Sequence, residues 1–138
     1  RCCGIHPRAA LLSPSNFGSS AQPTAVKMRD ALALVKQKAP WLEVDGEMHG
    51  DVALDTAARM AAMPDTTLLG DANLLVLPNL DAANIAYNLL KTAAGNNIAV
   101  GPVLLGAAKP VHILTASTTV RRIVNMTALT VADASAVR

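Results

Sequence analysis

The sequence predicts an α/β protein with a mostly parallel sheet and helices on both of its faces. Three observations carry that expectation. Short apolar runs alternate with longer stretches of helical period, the runs are apolar at nearly every position as in strands buried on both faces, and the breaks fall at Pro, Gly, Asn and Asp.

Residues 8–13, RAALLS, form the first run and pass into Pro, Ser, Asn and Gly, which predicts a buried strand ending near Ser13. From Pro23, well suited to a first helical position, Met28, Leu32, Val35 and Ala39 recur at helical spacing until Pro40 stops them. WLEVD (41–45) reads as a second strand, DGEMHGD (45–51) as the turn after it, and about Val52 to Met63 as a helix closed by Pro64. ANLLVLP (72–78) is an uninterrupted apolar strand. Leu80, Ala83, Tyr87, Leu90 and Ala94 mark the next helix, with Gly95 and Asn96 as stop signals. NIAVGPVLLG (97–106) and PVHILT (110–115) are two further strands. A final helix is expected from about Thr118, with Val120, Ile123, Val124, Thr127 and Val131 on one face. No internal repeat or low-complexity linker interrupts the pattern.

A chain of 138 residues holds one ordinary core. It starts at Arg1 rather than Met and carries no signal-peptide pattern, so it reads as a fragment and not as an intact secretory precursor. Its longest apolar stretch, 98–108, is broken by Gly101, Pro102 and Gly106 and is too short to span a bilayer, so a soluble protein without a membrane partner is expected. With 51% hydrophobic and 16% charged residues, the chain carries more apolar surface than a free-standing domain of this size easily hides. A larger chain or a homo-oligomer is therefore expected around it. The net charge of +2 comes from interspersed charges, and the aromatics are limited to Phe17, Trp41 and Tyr87, so nucleic acid is not an expected partner. Cys2 and Cys3 are adjacent at one end and build neither a disulfide framework nor a zinc site, a pattern that suits a reducing cytoplasm.

Ligands of open α/β sheets bind beyond the carboxyl ends of the strands, and three loops qualify. The first, 13–23, offers Ser13, Ser15, Asn16, Gly18 and Ser19 ahead of a helix, which suits phosphate or another anion, although a plain capped turn has the same composition. The second, 45–51, holds Asp45, Glu47, His49 and Asp51, yet acidic residues before a helix already serve as caps and no metal site is expected. The third, LTASTTVRRIVN (114–125), puts Arg121 and Arg122 in the first turn of a helix, where the dipole disfavours cations by about 0.3–1 kcal/mol each. Thr115, Ser117 and the two arginines either bind an anion there, or the arginines make ordinary surface ion pairs. His6 and His112 have no nucleophile at usable spacing.

Beyond these patterns, RAALLSPSNFGS, DGEMHGDVAL, NLLVLPNLDAANIAYNLLK, GPVLLGAAKPVHIL and VRRIVNMTALTVADA resemble the phosphate acetyl/butyryltransferase family over nearly the whole chain from about Ile5. PNLDAANIAYNLLK followed by RRIVNMTA is similar to the branch fused to bacterial NADP-dependent malic enzymes as a C-terminal domain. The resemblance implies two α/β lobes with a cleft between them, as in the isocitrate dehydrogenase fold. Residues 1–138 would then be the second lobe, and 116–138 a terminal helix returning to the first.

In active members the stretch matching LTASTTVRRIV carries a Ser-Arg pair and then an Asp, which is thought to take the proton from the CoA thiol. Thr115 stands at the Ser, Ala116 at the Arg and Arg122 at the Asp, while Phe17 stands where active members usually carry Lys. A guanidinium stays protonated near neutral pH and is no general base, and alanine stabilises no phosphate oxygen. The resemblance therefore implies an acetyl-CoA-binding regulatory domain without phosphotransacetylase activity, with the alternative of a working phosphate acyltransferase that uses another base. Asp45, Glu47 or Asp51 are the local carboxylates for that alternative. No cofactor is expected in this segment. NADP and a divalent metal would belong to the N-terminal part of the parent chain.

Overall fold

The computed structural model describes residues 4–93 and 100–136. Cys2, Cys3, Ala94, the stop signals Gly95 and Asn96 and the start of the run at 97 lie outside them. The chain divides into one unit of His6–Tyr87 and another of Arg1–Ile5 with Asn88–Arg138.

The first unit holds a parallel three-stranded sheet of order β2-β1-β3, built from β1 (Arg8–Leu12), β2 (Glu43–Met48) and β3 (Leu74–Val76). Side chains of β1 alternate between two cores, as the strand period of two requires. Ala9 and Leu11 meet Val44 and Met28 on one face, where helix α1 (Pro23–Lys38) also brings Ala31, Leu32 and Val35. On the other face Ala10 packs with Met48, Leu68, Ala72 and with Val52 and Ala53 of the short helix α2 (Gly50–Leu54). Helices thus cover both faces of this sheet, and alanines at the centre of β1 let them approach closely.

Helix α1 begins with Pro in its first turn and ends where the Ala39 N–H reaches the Val35 carbonyl, ahead of Pro40. Lys36 and Lys38 in its last turn complement the dipole.

Several elements differ from the sequence expectation. The second strand runs Glu43–Met48 rather than 41–45. Trp41 is exposed and precedes it, while the acidic residues at 45 and 47 are buried on side-chain and backbone partners, so pairing with β1 overrides their loop-like composition. The single helix expected from 52 to 63 is two, α2 and α3 (Thr56–Ala62). Asp55 interrupts it and caps α3 by accepting from the N–H groups of Ala57 and Ala58 at 2.8 and 3.1 Å. The break is closed by Arg59, which is fully buried and donates to the carbonyls of Val52, Ala53, Leu68 and Gly70. Nearby, Asp71 accepts from the Thr56 hydroxyl at 2.6 Å and from the Thr56 N–H, which holds its carboxyl below the ordinary value.

Helix α4 (Leu80–Ala93) appears where its periodicity predicts, but none of its residues is buried. In the second unit no strand forms at 100–106 or 110–115. Val103, Leu104, Leu105, Val111, Ile113 and Leu114 are all exposed there, and an apolar run becomes a strand only when a neighbour pairs with it. Helix α5 (Val120–Ala136) starts two residues later than expected, and its expected inward face is exposed at Val120, Ile123, Val124 and Val131, with Met126 buried instead. No helix among the described residues is long and apolar enough to cross a membrane.

Candidate functional site

The loop after β1 is built around an acid rather than left open. Register between β1 and β2 runs Leu11 to Gly46 and then Leu12 to Met48, so Glu47 is the extra residue of a β-bulge. Bulges bend a strand and re-aim a side chain. Gly46 permits this one: its φ is +150°, and a Cβ there would stand 2.7 Å from the Leu11 carbonyl oxygen.

The re-aimed Glu47 side chain is fully buried, and its Oε1 accepts three donors. They are the Ser15 hydroxyl at 3.0 Å, the Gly18 N–H at 3.0 Å and Arg29 Nη1 at 2.9 Å. The Glu47 carbonyl also accepts the Phe17 N–H at 2.7 Å. Phe17, at φ +44°, and Gly18, at φ +87°, therefore turn successive N–H groups onto one residue. Oε2 of Glu47 is buried without a partner, a deficit of about 1–3 kcal/mol that the paired Oε1 has to offset.

The other polar groups of the loop are also engaged. Ser13 donates to the Ser15 carbonyl, and Asn16 accepts the His49 N–H through Oδ1 while its Nδ2 meets His49 Nδ1 at 3.3 Å. Ser19 accepts the Asn16 N–H through Oγ, which leaves its own O–H available. Ser13, Ser15, Asn16, Gly18 and Ser19 are thus brought together, with the hydroxyl of Ser15 and the N–H of Gly18 directed at a carboxylate of the chain itself. Asp45 and Glu47 lie in β2 and are not caps. Asp45 accepts from the Thr66 hydroxyl and the Thr67 N–H, both at 2.7 Å, and approaches Lys36 at 3.7 Å. Among the described residues no group of three or more His, Cys, Asp and Glu could hold a metal.

Thr115, Ser117, Arg121 and Arg122 belong to the second unit. Thr115 Oγ1 lies 3.1 Å from Ser117 Oγ and 3.4 Å from Thr118 Oγ1, and the Thr115 N–H donates to Thr118 Oγ1. Thr119 caps α5, its Oγ1 accepting the Arg122 N–H at 3.3 Å. Arg121 is exposed. Arg122 is half-buried with an unpartnered, sealed Nε, and His112 accepts the Leu104 N–H through Nδ1 and leaves a sealed Nε2 unpartnered. Among the described residues, two donor-capable nitrogens of this unit are therefore without an acceptor.

Sequence reasoning missed the Glu47–Arg29 pair. Its members are 18 positions apart and nothing local links them. The usable signal was Glu47 within an otherwise buried β2 pattern.

The sequence profile described as phosphate acetyl/butaryl transferase matches residues 1–131. The chain is 60% identical over 131 residues to an NADP-dependent malic enzyme of Escherichia coli (strain K12), covering 95% of this chain and 17% of that protein. It is 58% identical over 132 residues to an NAD-dependent malic enzyme of Rhizobium meliloti (strain 1021), covering 96% and 17%. Among solved structures it superimposes on the EutD phosphotransacetylase from Staphylococcus aureus with a TM-score of 0.87 at 36% identity, covering 96% of this chain and 41% of that one. The chain thus spans about a sixth of the length of the malic enzymes it matches, as the 17% coverage states.

Proposed function

The chain belongs to the phosphate acetyl/butaryl transferase family, and from that premise we propose that it is the acetyl-CoA-binding, oligomer-forming domain of a malic enzyme and does not turn acetyl-CoA over. The observation that carries this reading is residue 122. Where the family resemblance places a carboxylate base, this chain has an arginine whose backbone N–H joins the α5 cap, and a guanidinium accepts no proton near neutral pH. Ala116, exposed one turn of loop before α5, supplies no charge to an acyl phosphate. Of the three local acids named for the alternative, Asp45 is bonded through both oxygens and Glu47 is closed off from solvent, while Asp51 is exposed and accepts the Val52 N–H through Oδ1.

Binding is the role left to these residues. The exposed Arg121, the half-buried guanidinium of Arg122 and the Thr115–Ser117 hydroxyls suit the phosphate groups of an acyl-CoA. Malate, a nicotinamide cofactor and a divalent metal would be held by the rest of the parent chain, in the cytoplasm. NADP is the cofactor named for the E. coli relative and NAD that named for the R. meliloti relative. The exposed apolar faces of α4 and α5 suit a missing first lobe, to which 116–138 would return, and a second copy of the chain. A working phosphate acyltransferase is the second reading, favoured by the likeness to a phosphotransacetylase.

Equilibrium binding of labelled acetyl-CoA to the full natural chain tests the first reading. Saturable binding that weakens in Arg122→Ala, together with an acetyl-CoA-dependent change in malate oxidation, is expected. No binding by folded protein would overturn it.

A further inference from the structure

A cleft of about 430 Å³ runs along α1, lined by Phe17, Arg29, Leu32, Lys36, Glu47 and Met63 among others. None of these six is a proposed acyl-CoA contact, and Gly18, which also lines the cleft, commits its N–H to Glu47 Oε1. Arg29 commits Nη1 to Glu47 Oε1 and to the Ser20 carbonyl, both at 2.9 Å. Its Nε and Nη2 have no protein partner among the described residues and are not sealed from solvent. That free edge is the one that grips a carboxylate side-on through two parallel N–H···O bonds.

The rest of the cleft narrows the ligand class. Lys36, seven residues along α1, is half-exposed and among the described residues has only the long contact with Asp45. Asp45 and Glu47 stand in the same wall, so a dianion meets more repulsion there than a monoanion does. Phe17, Leu32, Ala33 and Met63 supply an apolar surface.

We propose that this cleft binds a small monocarboxylate with a short apolar chain, independently of the acyl-CoA reading. The carboxylate lies side-on to Arg29, the chain lies against Leu32, Met63 and Phe17, and Glu47 is a positioning residue that holds the guanidinium.

Calorimetric titration of hexanoate into the full natural chain tests this, with inorganic phosphate as the second probe. One hexanoate per chain and weaker phosphate binding are expected. Ala33→Glu adds a carboxylate at an exposed α1 position of the cleft without touching the Arg29–Glu47 pair, and should weaken hexanoate ~10-fold or more at unchanged thermal stability. Arg29→Lys keeps the charge opposite Glu47 but loses the planar edge, and should weaken hexanoate as well. The proposal is overturned by a folded wild type that does not bind hexanoate saturably, by phosphate that displaces hexanoate and binds the same cleft more tightly, or by affinity that ignores Ala33→Glu. Acetyl-CoA binding measured on the same samples should not respond to Ala33→Glu or to hexanoate. Displacement of hexanoate by acetyl-CoA would overturn a separate site, whereas failure of acetyl-CoA binding alone would remove only the acyl-CoA reading.

Discussion

The loop at 13–20 and the loop at 115–119 have much the same composition, small hydroxyl residues leading into a helix, yet their donors end in different places. In the first, the Ser15 hydroxyl, the Gly18 N–H and Arg29 converge on Glu47 Oε1. In the second, the hydroxyls bond to one another and to the start of α5, while Arg122 Nε keeps no partner. Composition therefore identifies anion-binding capacity but not its occupant. A carboxylate delivered by a bulge fills one loop from within, whereas among the described residues no carboxylate meets the donors of the other.

The strongest way to break this contrast is to remove the cation of the first loop. Arg29→Met leaves Glu47 buried without its charge partner and should cost about 3 kcal/mol, read as a lower urea midpoint at unchanged slope. The partial exposure of Arg29 puts the loss at the low end for a buried pair. An unchanged midpoint would mean that Ser15 and Gly18 hold the carboxylate unaided.

Next in size is Gly46→Ala, which forces a Cβ onto the Leu11 carbonyl in a left-handed conformation and should cost about 2 kcal/mol by chemical denaturation. It attacks the bulge without touching any polar partner of Glu47, so it tests whether backbone geometry delivers the acid. In the other loop Thr119→Ala removes a cap with a long 3.3 Å bond and should cost only about 0.5–1 kcal/mol. A loss as large as that of Arg29→Met would erase the difference between the two loops.

The smallest effect is a control away from both. Asp71 has its folded-state carboxyl pKa lowered by the Thr56 hydroxyl and N–H, so its contribution is complete above the unfolded carboxylate pKa and fades as pH falls through the folded one. Asp71→Asn should therefore lower stability slightly at neutral pH and converge with wild type in acid. Divergence in acid would reverse the sign and contradict the bonding around Thr56.

Much of the first unit was legible because its signals are local. The apolar run at 8–12, the spacing of Met28, Leu32 and Val35 between Pro23 and Pro40, and the period of α4 each depend on neighbours in sequence. What was not legible depends on distant partners. DGEMHGD reads as a turn because the groups that satisfy Asp45 and Glu47, at Thr66, Thr67, Ser15 and Arg29, lie far along the chain. The same limit explains 100–115, where strand-forming residues have no paired neighbour among the described residues and the apolar ones at 103–105 stay exposed. Asp55 was a readable signal: an Asp followed by Thr-Ala-Ala is a helix start in the middle of an expected helix.

The most direct measurement is thiol release from acetyl-CoA and inorganic phosphate by the full natural chain, with a working phosphotransacetylase as positive control. Attack of phosphate on the acetyl carbon would break the thioester C–S bond and form acetyl phosphate, and with no carboxyl group at residue 122 to return a proton to the departing CoA thiolate the step should fail. The expected result is no release above the protein-free blank from folded protein that binds acetyl-CoA saturably. Release well above the blank would contradict binding without turnover and make this chain an acyltransferase whose base is a residue other than Arg122.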